Sequence, residues 1–290
     1  MNDMLPVEHC LMAAMRLESF VDRVQAVNPD VELSAAVQAW EKAQATMRAL
    51  AKSEDGCADA SALLPIPSTL SAAVEALAAH PLMAQAFDAV PVAFGLVEFD
   101  ALMVSRPALW SDQLLRCGAW VDGADRSDER LAACCLHPGS PGPAVQFCQV
   151  GDSWMAITDD PQACVRIEPG DADETASASL QLRVVSPPPL VHVARYRRRL
   201  LLVDGHHRLR MLRHLGVGFV PAVVSACDSL DDVLRAAPHL AAVDVARWFE
   251  QTRPPMLRDH DRPSLVYHHR ARAPRRVLKL RAEPQWLNRV

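Results

Sequence analysis

The chain has 290 residues, 50% of them hydrophobic and 5% aromatic, with a formal net charge of −5. That length and apolar content fit one large or two small folded domains and exclude a fibrous or wholly disordered chain. No window approaches about 18 uninterrupted apolar residues and "MNDMLPVEHCLMAAM" does not read as a secretory signal, so neither a membrane span nor export is expected.

Alanine, leucine, valine and arginine dominate and lysine occurs only at Lys42, Lys52 and Lys279, the skew expected of a GC-rich bacterial genome. The eight cysteines form no CxxC pair or disulfide framework, which points to reduced thiols and a cytoplasmic location. Cys134, Cys135 and His137 come nearest to a metal cluster. Adjacent cysteines are poorly placed for one tetrahedral ion, so no metal site is expected.

Residues 1–92 read as a helical N-terminal region. "VEHCLMAAMRLESFVDRVQAV" places Leu11, Met15, Phe20 and Val24 near helical spacing. "LSAAVQAWEKAQATMRALAK" repeats the pattern with Leu33, Val37, Trp40, Met47 and Leu50. The turn signal "NPD" separates them, Ser68 or Ser71 can cap a third helix, and Pro81 can open a fourth.

Residues 93–252 read as a mixed domain, giving an α+β (mixed α/β) class overall. "FGLVEFD" predicts a strand, and Arg106-Pro107 predicts the start of a helix. The stretch from about 118 to 185 reads as a β-rich insertion. Within it, "AVQFCQVGDSWMAIT" predicts a hairpin on Gly151-Asp152, and "ACVRIEP" and "ASLQLRVVS" predict two more strands. "LVHVARYRRRLLLVDG" predicts two short strands around Arg197-Arg198, followed by a helix from His206 and a strand over "FVPAVV". Strand, helix and strand at this spacing fit a compact α/β unit closed by a parallel crossover. Ser229 with Asp232 forms a capping-box signature, and "LAAVDVARWFEQ" predicts one more helix.

Residues 253–290 form a basic tail with ten Lys or Arg against Asp259, Asp261 and Glu283, a balance of +7 that leaves −12 on the remainder. Such a tail can contact DNA or an acidic partner, or dock on its own domain. His260, His268 and His269 lie among arginines and read as basic surface rather than metal ligands. The dispersed tryptophans read as core or interface anchors. No P-loop, GxGxxG or GxSxG pattern is present.

The turn "DGHHR" is the most informative motif. On a helical wheel for "HHRLRMLRHLG", Leu209, Met211, Leu212 and Leu215 form the apolar arc, and His206, Arg210, Arg213 and His214 lie opposite. Arg208 projects from the middle of the apolar arc and His207 from its edge. A core-directed guanidinium in a first helical turn needs a counter-charge, because burial and the helix dipole both oppose it there. A phosphate on Asp204, Gly205, His206, His207 and Arg208 would supply that charge, with Arg106 as a second anion ligand. An internal carboxylate (Glu98, Asp100 or Asp204) would supply it equally well. Asp204 also reads as a plain helix cap.

"RLLLVDGHHRLRMLRHLGVGFVPAVV" resembles the core of the ParB/sulfiredoxin-like superfamily, a strand, a glycine turn, a basic helix and a strand with a "vP" step. The likeness is strongest over 190–224 and weaker over 94–115. It implies nucleotide or phosphate binding at the turn. Sulfiredoxin has a cysteine where His206 stands, so its covalent chemistry is not implied. ParB proteins read Gly-Glu-Arg-Arg, of which Gly205 and Arg208 match. The glutamate-asparagine box of CTP-binding ParB proteins has no counterpart in "SACDSLDDVLRAAP". Asp-Gly-His-His-Arg is similar to ParB-like free serine kinases, which implies phosphate contacts from His206, His207 and Arg208.

The expectation is a protein that binds a nucleotide or phosphorylated small molecule at this turn, possible homodimer formation included. If it is an enzyme, it is a phosphotransferase or NTP hydrolase using a nucleoside triphosphate with Mg, and Glu98 and Asp100 are the candidate catalytic carboxylates. The alternatives are a non-enzymatic scaffold that contacts DNA or protein through residues 253–290, and a metal-dependent nuclease.

Overall fold

The computed structural model describes residues 6–59, 63–121, 127–137, 145–158, 164–169, 180–185, 190–238, 240–270 and 276–281. The acidic loop at 170–177, the "GSPGP" and triple-proline segments, Trp286 and the end of the basic tail lie outside these residues.

In chain order come strand β1 (Val7–Leu11), helices α1 (Leu17–Val27) and α2 (Leu33–Ser53), strand β2 (Leu63–Leu64) and helices α3 (Ser71–Ala78) and α4 (Pro81–Ala86). Strands β3 (Val92–Glu98), β4 (Leu102–Val104) and β5 (Ala108–Trp110) precede helices α5 (Ser111–Val121) and α6 (Asp128–Cys135). Strands β6 (Val145–Val150), β7 (Ser153–Thr158), β8 (Cys164–Pro169), β9 (Leu180–Val185), β10 (His192–Tyr196) and β11 (Arg199–Asp204) lead to helix α7 (His206–His214). Strand β12 (Phe219–Cys227), helices α8 (Leu230–Ala236) and α9 (Ala242–Glu250) and strands β13 (Val266–Arg270) and β14 (Arg276–Arg281) follow.

The fold is mixed α/β and divides into two compact units, one of residues 1–138 and 189–273, the other of 139–188 and 274–290. These boundaries differ from those drawn on the sequence. The N-terminal helices share a unit with the α/β elements, and the basic tail is split between the units.

The larger unit is built on a six-stranded sheet in the order β2-β3-β12-β10-β11-β4. The unbroken apolar run Leu200–Val203 of β11 is buried on both faces, as a central strand requires. Leu200 and Leu202 join a core with Leu209 and Leu212 of α7 and with Phe20, Val24, Ala36 and Ala43 of α1 and α2. Leu201 and Val203 face the opposite layer, with Val233 of α8 and Val245 and Trp248 of α9. The Ser229–Asp232 capping box forms as its spacing predicts.

Three local expectations are corrected. Helix α7 does not close a parallel crossover between β11 and β12. The tight turn at Arg197 seats β10 beside β11, and β10 runs antiparallel to β11 and parallel to β12. The flanking strands of α7 therefore run in opposite directions. The helix expected from Arg106-Pro107 begins at Ser111, because Ala108–Trp110 pairs with β1. Val7–Leu11 is a strand rather than a helix start, because β1 lies between β5 and β13. Its helical spacing is overridden by a ladder whose second partner is more than 250 residues away in sequence.

The smaller unit holds the β6–β7 hairpin, turned at Gly151 and extended by β14, and a second hairpin of β8 and β9. Among the described residues no helix is long and apolar enough to cross a membrane.

Candidate functional site

Strands β4 and β11 run parallel, with Leu200 to Leu202 opposite Leu102 to Val104. Their C-terminal ends therefore open side by side into Ser105-Arg106 and Asp204-Gly205. In open α/β sheets ligands bind at such carboxyl ends of strands. Gly205, at φ 96°, turns the chain into α7. Here glycine is required twice over. The left-handed backbone disfavours a side chain, and an added Cβ would lie 3.0 Å from Val191 Cγ2. Asp204 ends β11 and does not cap the helix; the N-cap position is Gly205 and no side chain caps α7.

The basic residues of the motif are held inside the protein. His206 is 1% exposed and not on a polar surface as the wheel suggests, because the Ser105-Arg106 loop covers it. Its Nε2 accepts the Arg106 backbone N–H at 3.2 Å. The Ser105 hydroxyl lies 3.3 Å from the same nitrogen and donates to the Leu202 carbonyl. The Nε2 of His207 accepts the Trp110 backbone N–H at 3.1 Å. A ring whose Nε2 accepts is the neutral tautomer with its proton on Nδ1, so these contacts assign both histidines as uncharged.

Arg208 is buried at 8% exposure, and its Nη1 donates to the Cys134 carbonyl at 2.9 Å and its Nη2 to the Leu190 carbonyl at 3.1 Å. Asp204 Oδ2 lies 3.8 Å away, a looser ion pair. Cys134 is in the last turn of α6, where backbone carbonyls lack helical partners and carry the negative end of the dipole. The carbonyl end of α6, together with the expected carboxylate Asp204, thus supplies compensation for Arg208. Arg208 braces α6, the entry to β10 and the start of α7.

Arg106 is different. Its backbone holds His206, yet among the described residues no acceptor meets its half-buried guanidinium. It is the cation at this turn available to an anion.

Glu98 and Asp100 do not join the turn. Glu98 ends β3 opposite Phe219, and the Phe99 N–H donates to the Gly218 carbonyl just beyond α7. Asp100 is 2.8 Å from Arg213 Nη1 near the C-terminal end of α7. A helix of this length spans about 13 Å, so these carboxylates and the turn flank opposite ends of α7. Among the described residues Asp204 is the carboxylate at the turn, a set that does not fit a magnesium ion bridging phosphates, and no phosphoryl-transfer step follows from it. Among the described residues no group of three His, Cys, Asp or Glu is placed to hold a metal.

Residues at the start of the basic tail dock on the chain's own domain, one of the readings its charge allowed, and of the histidines read as basic surface His260 is buried whereas His268 is exposed. Arg253 is buried between Glu54 (3.0 Å) and Asp259 (2.6 Å). Arg258 and Arg262 also bind Glu54, at 2.8 and 2.6 Å. Burial pushes the Glu54 carboxyl up, but the hydrogen bonds from Arg262 and Arg253 outweigh it and hold it at about 2. His269 lies 2.7 Å from the buried Glu8, which also pairs with Arg23. The alternating run "VYHHR" carried the missed signal, since it reads as a strand as readily as a basic patch. No protein-family model, curated protein or solved structure matches the chain significantly.

Proposed function

We propose that the chain is a ParB/sulfiredoxin-like protein that binds a nucleotide or other phosphorylated small molecule beside Arg106 at the Asp204–Arg208 turn. One observation carries this reading: at the carboxyl ends of two parallel strands, where Gly205 leads into α7, the half-buried Arg106 guanidinium meets no acceptor among the described residues. Arg106 would grip two phosphate oxygens in a fork, and the positive end of the α7 dipole would favour the anion. His206, His207 and Arg208 act as positioning residues, the first two by fixing the β4–β5 connection over the turn and the third by anchoring the turn to α6. Binding, not turnover, is the reading, because Glu98 and Asp100 stand at the far end of α7.

Calorimetry with inorganic phosphate and a panel of nucleoside mono- and triphosphates tests it. Replacing Arg106 by Ala removes one charge-assisted contact and should weaken binding roughly 10- to 100-fold, in line with about 1.5–3 kcal/mol. If no phosphate ligand binds the native chain more tightly than about 1 mM, the proposal is wrong.

A further inference from the structure

His260, in the short 3-10 turn Leu257–Asp261, is 4% exposed, and neither ring nitrogen meets a hydrogen-bond partner among the described residues. Buried polar groups are bonded in the great majority of cases, so an imidazole in this state points to a missing partner. The groups that face it are basic and come from separate elements: Arg210 and His207 from α7 and His9 from β1. His268 of β13 stands opposite His9, with ring centroids 4.8 Å apart and edge to face.

Arg210 lies 2.7 Å from Asp261 Oδ1, but its buried Nε–H meets no acceptor among the described residues. Asp261 is the acidic group in the cluster and is shared with Arg213, whose Nε is 2.7 Å away and which also binds Asp100. Donors from four elements therefore converge with one shared carboxylate at the margin. Half-buried His9 and exposed His268 place the cluster's outer edge at solvent. A cation is the wrong occupant, because Arg210 would repel it.

We propose that His260, His9, His268 and Arg210 form a site for a small oxyanion of the phosphate class, bound with uptake of a proton from solvent. Without an anion the rings are held neutral. Burial, then His268 and Arg210, push His9 down to about 4, and burial, then Arg210, His9 and His207, push His260 well below its ordinary value. A bound anion reverses the sign of the local field, so a second ring proton becomes favourable and supplies another donor. The inference does not rest on the reading of the Asp204–Arg208 turn.

The test is calorimetric titration of the full chain with inorganic phosphate near pH 6.5, the ordinary histidine range, in two buffers of contrasting ionisation enthalpy. The expected result is binding with buffer-dependent heat that shows proton uptake. His260→Asn should weaken it at least about tenfold, as loss of a charge-assisted bond requires. His268→Gln at the exposed rim, which leaves the buried packing intact by circular dichroism, should weaken it several-fold. Arg106→Ala removes only binding at the Asp204–Arg208 turn, and the proton-coupled heat persists in it. Buffer-independent heats would overturn the proposal. So would binding lost in Arg106→Ala but retained in His260→Asn, which places phosphate at the turn. Absence of heat up to about 10 mM phosphate would do the same and assign His260 to water.

Discussion

Arg208 offers the sharpest test of whether the DGHHR motif is a grip or a brace. Arg208→Ala removes two charge-assisted hydrogen bonds and strands the buried carbonyls of Cys134 and Leu190. Bonds to a charged group contribute about 1.5–3 kcal/mol each. Relief of a cation at a helix N-terminus returns about 0.3–1 kcal/mol, and relief of its desolvation returns more. The net loss should be about 2–4 kcal/mol, large against the total stability of a typical domain. Arg208→Lys keeps the charge but not the fork, and should recover less than half of it. Urea unfolding followed by circular dichroism reads this as a lower midpoint at unchanged slope. A loss below about 0.5 kcal/mol together with abolished phosphate binding would refute the reasoning and make Arg208 a direct ligand.

Gly205→Ala should cost about 1–3 kcal/mol, because φ 96° is left-handed and the new Cβ meets Val191; thermal melting will show whether the turn is as constrained as this requires. Asp259→Ala leaves Arg253 buried with Glu54 alone and should destabilise by roughly 3–5 kcal/mol in the same unfolding assay. The pH dependence has two windows. His9 and His260 have folded values depressed below the ordinary 6.5, so the unfolded chain binds more protons and stability falls as pH drops from about 6.5 toward about 4. His9→Gln should flatten that slope, and an unchanged slope would contradict it. Glu54, held at about 2 against an ordinary 4.5, adds stability that is present above about pH 4.5 and lost below it, a second step visible in acid unfolding.

The sequence by itself determined what short-range physics encodes. The strand at Arg199–Asp204, the glycine turn, the amphipathic helix that follows, the Gly151 hairpin and the Ser229 capping box depend on period, propensity and local hydrogen bonds within a few residues. It also marked Arg208 as a cation needing compensation. Tertiary structure decided what supplied that compensation, because the Cys134 carbonyl lies 74 residues away and no periodicity announces it. The same holds for Val7–Leu11, whose helical spacing yields to a ladder with β13, and for His260 and His269, whose charged neighbours in sequence suggested surface. Glu98 and Asp100 are candidates because they are the acids that precede Arg106 on one predicted strand; β4 carries the chain from one end of α7 to the other, so only the folded path separates Asp100 from Arg106. Local rules fix an element's type, whereas burial and pairing depend on which distant segment arrives beside it.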